Sequence, residues 1–216
     1  MSDEKVLAAD LYRRMFGEEP PTTWIQHLER GLAAYSDGFH HGWNAMMAQK
    51  LGLLSFDAAT DGDLIGSLMR ILQIVETDMT IFYRKLANVK AGMETDDRWF
   101  DVLSDAYYDP DHVTVEKKRQ ITDWIATYLQ RTAKDGLCDE ERRSRMNRVN
   151  PKFVLRNYLA QLAIDKGETG DFAMIGQLLD VLRNPYEEQP EHEDFATKRP
   201  EWARHRAGCS MLSCSS

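Results

Sequence analysis

Apolar residues recur along most of this chain at steps of three to five, the spacing that gathers them on one face of an α-helix. The longest stripe runs through Leu28, Leu32, Tyr35, Phe39, Trp43, Met46 and Leu51. It predicts a helix from Thr23 to Leu51, about 45 Å long at 1.5 Å per residue. Gly31, Gly38 and Gly42 fall inside it, and each weakens an exposed helix by roughly 1 kcal/mol relative to Ala. They read as close-packing positions or a kink. A shorter helix, Glu4 to Phe16, comes first and is closed by Pro20-Pro21.

The same period continues downstream. Asp61 or Asp63 is expected to cap a helix bearing Leu64, Leu68, Leu72 and Val75, and Thr77-Asp78 one bearing Met79, Phe82, Tyr83 and Leu86. A short helix follows around Trp99, Phe100 and Leu103, then a turn at Tyr108–His112. Thr114 is the expected N-cap of a helix that ends near Gly136, and a charged helical turn follows from Asp139 to Met146. Asn150-Pro151 reads as a cap with proline at the first helical position, opening a helix that buries Val154, Leu155, Tyr158, Leu159 and Leu162. Asp171 is expected to cap a last clear helix carrying Phe172, Ile175, Leu178, Leu179 and Leu182. No strand period of useful length and no fixed repeat occurs. The pattern therefore predicts an all-α, non-repetitive multi-helix bundle. Its expected divisions are residues 1–21 (short helix and Pro-Pro break), 22–186 (helical domain) and 187–216 (charged, mostly irregular tail).

Composition narrows the function classes. At 216 residues, 43% hydrophobic and 29% charged, the chain is long enough for a core without disulfide or metal staples. A net charge of −8 argues against duplex nucleic acid as a partner. No apolar run approaches the roughly 20 residues of a membrane span. The start, MSDEKVLAAD, has no apolar core of a signal peptide, and three cysteines do not form a secreted framework. The expected compartment is the cytoplasm.

Candidate chemistry is sparse. His40 and His41 are adjacent, so on a helix they point about 100° apart and cannot clamp one metal ion. A metal-dependent enzyme built on them and nearby carboxylates is the weakest of three readings. The acidic run Glu187, Glu188, Glu191, Glu193 and Asp194 reads as a solubilising loop. The basic run Arg142, Arg143, Arg145, Arg148, Lys152 and Arg156 reads as a solvated helix face paired with Asp139, Glu140 and Glu141. Neither a Gly-rich phosphate loop nor the signature motifs of protein kinases or serine hydrolases is present. The sequence assigns no catalytic, cofactor or metal residue. Cys209 and Cys214, in the tail GCSMLSCSS, read as exposed, oxidisable thiols, either free or paired.

Several stretches resemble one family. Lys50-Leu51-Gly52-Leu53 is similar to the KLGL element of SelO proteins (YdiU in bacteria). Asn147-Arg148-Val149-Asn150-Pro151-Lys152-Phe153-Val154-Leu155-Arg156-Asn157-Tyr158-Leu159 resembles their NP/RN stretch. Gly170-Asp171-Phe172 with Leu178-Leu179, Leu182 and Pro185-Tyr186 resembles the helix that follows, and Cys214-Ser215-Ser216 their C-terminus. The resemblance runs from about Trp43 to the end. It implies a kinase-like family that transfers AMP from ATP, with magnesium or manganese, to protein hydroxyl groups. The family's nucleotide, metal and catalytic positions have no counterpart here, so the resemblance implies the helical C-terminal portion, inactive alone. Its implied partner is a kinase-like N-terminal region in the same or a separate chain, with protein substrates. Cys214 alone carries over, as a regulatory thiol. The alternative is a free-standing helical interaction module that docks on a separate catalytic chain.

Overall fold

The computed structural model describes residues 3–92 and 96–209, with the side chains of 3–5 and 96–97 left aside. Nine α-helices are present among the described residues, and an antiparallel bridge joins Thr77 to Tyr107. The all-α expectation holds. The chain divides into two units, residues 1–46 and 47–216.

In the first unit, α1 (Asp3–Phe16) ends where Gly17 takes φ +73° and donates its N–H to the Arg13 carbonyl at 2.8 Å. Tyr12 then packs on Phe16 and Trp24, with ring centroids 4.6 and 4.8 Å away. The long helix α2 (Thr22–Lys50) follows, with bounds close to those the apolar stripe predicts. Every residue from Arg30 to Trp43 is exposed. Among the described residues, nothing stands within 4 Å of the Cβ positions of Gly31, Gly38 and Gly42.

The second unit holds the main core. Helices α3 (Asp61–Ile74), α4 (Met79–Leu86), α5 (Asp96–Leu103), α6 (Val115–Ala133) and α7 (Asp139–Val149) bury Leu51, Leu68, Phe82, Leu86, Leu103, Tyr107, Ile121, Ile125 and Tyr128 completely. Asp78 caps α4 by accepting from the Ile81 amide at 3.1 Å, and Thr114 caps α6 through the Lys117 amide, both as expected. Helices α8 (Asn157–Glu168) and α9 (Ala173–Arg183) build a second cluster of Tyr158, Leu159, Ala163, Met174 and Leu178, completed by Ala203 and Cys209.

Three expectations need correction. Asp61 does not cap α3. It lies inside the first turn, fully buried, and takes two bonds from Arg131 at 2.6 and 3.1 Å. Asn150-Pro151 opens no helix. Asn150 closes α7, and the amides of Lys152 and Phe153 both donate to the Pro185 carbonyl at 2.8 and 3.1 Å. These bonds hold residues 151–156 non-helical, so α8 starts only at Asn157, and Leu155 is exposed. On α9, Phe172, Ile175 and Leu179 face outward, because Met174, Leu178 and Val181 fill the inner face. Within the described part of the tail, 3-10 turns form at Pro190–Ala196 and Glu201–Ala203. Ion pairs order it. Glu76 binds Arg199 and Arg204, each at 2.8 Å, and Arg206 binds Asp165 at 2.7 Å.

The Asp61–Arg131 pair also sets an acid limit. Burial alone pushes the Asp61 carboxyl up, but bonds from Arg131 and the Asp57 amide outweigh it and hold the group below its ordinary value of 3.8. A depressed carboxyl contributes stability above its unfolded pKa and loses it as pH falls through the folded one. The urea midpoint is therefore expected to drop more steeply between about pH 5 and about pH 3 in the native chain than in Asp61→Asn. Equal slopes would remove Asp61 from the acid transition.

Candidate functional site

The polar face of α4, the start of the last turn of α7 and the tail enclose a cleft of about 570 Å3. Helix α4 brings Arg84, Lys85 and Asn88 to it, α7 brings Arg143 and Asn147, and the tail brings Glu188, Glu193, Asp194 and Lys198. Lys152 lies between them on the non-helical segment after α7. The cleft combines lysines with carboxylates, so its fitness for a nucleotide and a metal ion is a direct question.

The charges in it bind one another. Arg84 is mostly buried. Its guanidinium donates to the carbonyls of Asn147, Asn150 and Tyr186 at 3.2, 3.3 and 3.3 Å and pairs with Glu188. Lys152 bridges Glu188 and Glu193, and Lys85 pairs with Asp105. Lys198 donates to the Tyr107 carbonyl. Burial works against the charge on Lys152, yet Glu188 and Glu193 outweigh it and raise its pKa. Burial likewise opposes charge on Glu188, and Lys152 and Arg84 hold its carboxyl below the usual range. At neutral pH Lys152 and Glu188 stay ionised and paired.

This arrangement does not fit ATP with a divalent ion. A phosphate cradle needs converging backbone N–H groups, and no glycine lines the cleft. A hard cation needs several free carboxylate oxygens. Here Asp105, Glu188 and Glu193 are already bound to cations, and no group of three or more metal-ligating side chains occurs among the described residues. The cleft is a lock that fastens the tail to α4 and α7. Replacing Lys152 by Ala leaves Glu193 without its cation and removes one of the two cations on Glu188. We expect a loss of about 1–2 kcal/mol and earlier trypsin cleavage after Lys198, read by mass spectrometry. An unchanged cleavage time would show that the lock does not hold the tail.

The basic run also departs from expectation. Arg143, Arg145 and Arg148 are exposed, but Arg142 is not: it donates to the Tyr128 hydroxyl at 2.9 Å, to Asp139 at 3.1 Å and to the Val89 carbonyl. Arg156 pairs with the buried Asp78. With Lys152 bound to the acidic tail, half of the run is internal scaffolding. The acidic run is accordingly more than a solubilising loop, since Glu188 and Glu193 are its partners. Sequence reasoning missed the pairs of Lys152 with Glu188 and Glu193 and of Arg156 with Asp78 because the partners stand 36 to 78 residues apart, beyond any helical spacing.

The remaining candidates stay apart. His40 is exposed, with Nδ1 2.9 Å from the Ser36 carbonyl. Cys209 is buried, not exposed, because Gly208 at φ +78° turns the chain so that Cys209 enters the second cluster. A Cβ on Gly208 would stand 2.5 Å from the Gln161 Oε1. A thiol so enclosed is shielded from oxidants. Cys214 lies outside the described residues.

Comparison with known proteins decides the family. The model of the family "Protein adenylyltransferase SelO" matches residues 14–183. The chain belongs to the SelO family. A protein nucleotidyltransferase YdiU from Rhodopirellula baltica is 52% identical over 198 residues, which cover 88% of this chain and 37% of that protein. One from Aromatoleum aromaticum is 45% identical over 97% of this chain and 38% of its own length. One from Methylobacillus flagellatus is 46% identical over 87% and 35%. The chain thus spans well under half the length of these relatives. The match also begins earlier than Trp43, so all of α2 with its apolar stripe is SelO sequence, not a separate extension.

Proposed function

We propose that this chain is the helical C-terminal portion of a SelO-type protein adenylyltransferase, which moves AMP from ATP to Ser, Thr or Tyr hydroxyls of proteins. The observation that carries the reading is the match over residues 14–183 to a family whose curated relatives are far longer than the part matched here. In this reading ATP and magnesium or manganese bind a kinase-like region to which these helices attach, in the same or a separate chain. That assignment is supported by the paired state of every lysine and most carboxylates in the cleft. Cys214 is a regulatory thiol by family likeness, and the compartment is the cytoplasm. No described helix is long and apolar enough to cross a membrane.

The separate-chain version makes the protein an interaction module, and the exposed stripe on α2 supports attachment to a second body in either version. Calorimetric titration of the purified chain with ATP and magnesium is expected to show no micromolar binding. Binding at that affinity would overturn the assignment of nucleotide chemistry to another region. Co-purification with a kinase-like polypeptide distinguishes the separate-chain version from the single-chain one.

A further inference from the structure

Helix α2 shows its partner surface through a mismatch between sequence and burial. From Leu28 to Met46, five steps carry the apolar stripe at the 3.6-residue period of a straight helix. On a helical projection, Gly31, Gly38 and Gly42 lie along one flank of that stripe. Glu29, Arg30, Ser36, Asp37, His40, His41 and Asn44 occupy the other half of the circumference. The sequence is written for a helix covered on one side and wet on the other. Yet Leu32, Tyr35, Phe39, Trp43 and Met46 are 37–72% exposed. Among the described residues of the unit, Ala9 alone is a buried hydrophobic residue. A helix with three interior glycines and so little tertiary support is marginal in water.

We propose that the Leu32–Tyr35–Phe39–Trp43 face, with its glycine flank, is the surface that docks the part of the SelO fold not present in this chain. The inference rests on the family reading above and names the residues of its interface. Two observations select this occupant over a second copy. The family match includes this stripe, so relatives carry the same helix within a polypeptide that is longer by the unmatched remainder. The steps along the stripe are 4, 3, 4, 4 and 3, and the consecutive fours break the alternation of three and four that holds a self-paired coiled-coil seam. The glycine flank lets a neighbouring element approach more closely than larger side chains allow.

The test is a full-length chimera in which this chain replaces the matching portion of the Rhodopirellula baltica relative. Phe39 on the stripe and Asp37 on the wet face are each replaced by a photo-reactive phenylalanine analogue. Cross-links from position 39 into the relative's own segment, with none from position 37, are the expected result. Cross-links from position 39 to a second copy, to residues 47–216 of the same chain, or to nothing would each overturn the proposal. AMP transfer is measured on the same chimera. An inactive chimera with the expected cross-links defeats the adenylyltransferase reading and leaves the interface standing; an active one without them does the reverse.

Discussion

Replacing Arg131 by Ala should cost the residue 47–216 unit about 3–5 kcal/mol, because it strands a buried carboxylate. Asp61 is wholly inaccessible, and Arg131 provides both of its charged bonds. The same guanidinium donates to the Ser55 carbonyl at 3.0 Å and to Asp135 at 2.8 Å, while Asp135 accepts from the Leu54 amide at 2.9 Å. One side chain thus fixes α3, α6 and the turn after α2. For a unit of this size the loss corresponds to a fall in Tm of roughly 6–20 °C. Most of it should return in the double variant Asp61→Leu/Arg131→Met, since apolar side chains of similar volume often replace a buried pair without loss. Calorimetric melting of the three proteins checks this. A single variant within about 1 kcal/mol of the parent would mean that water reaches Asp61.

Gly52→Ala is the second large effect. Gly52 takes φ +73°, which costs a side-chain-bearing residue about 1–2 kcal/mol. A Cβ there would stand 2.8 Å from Met146 Cγ and 2.9 Å from Arg142 Cγ. Both neighbours are buried, and Arg142 is bound on three sides, so neither can retreat freely. Overpacking of this kind adds about 1–3 kcal/mol. We expect a total of roughly 2–5 kcal/mol, measured by urea denaturation. Ala at Gly136, also at positive φ but with open space around its Cβ position, should cost only the backbone part. Equal losses at the two sites would refute the packing argument.

The helices were readable because their signals are local. Period, the caps Asp78 and Thr114 and the break at Gly52 all lie within a few residues of what they control. The errors fall where a distant partner decides. Asp61 looks like a cap until Arg131, 70 residues later, claims it. Pro151 looks like a helix start until the Pro185 carbonyl takes the amides that follow it. The cleft was invisible for the same reason: its pairs join α4 and the segment after α7 to a tail whose sequence alone reads as solvent-loving. What the sequence carried about function came from motif likeness, because most of the charges in the cleft are spent on holding the chain together.

The burial of Ala203 and Cys209 beneath α8 and α9 has a consequence for biosynthesis. That small cluster lacks two of its inner residues until residues 203 and 209 have left the ribosome. A nascent chain arrested before residue 203 would expose Tyr158, Leu159 and Met174 to chaperones, even with the earlier helices already folded.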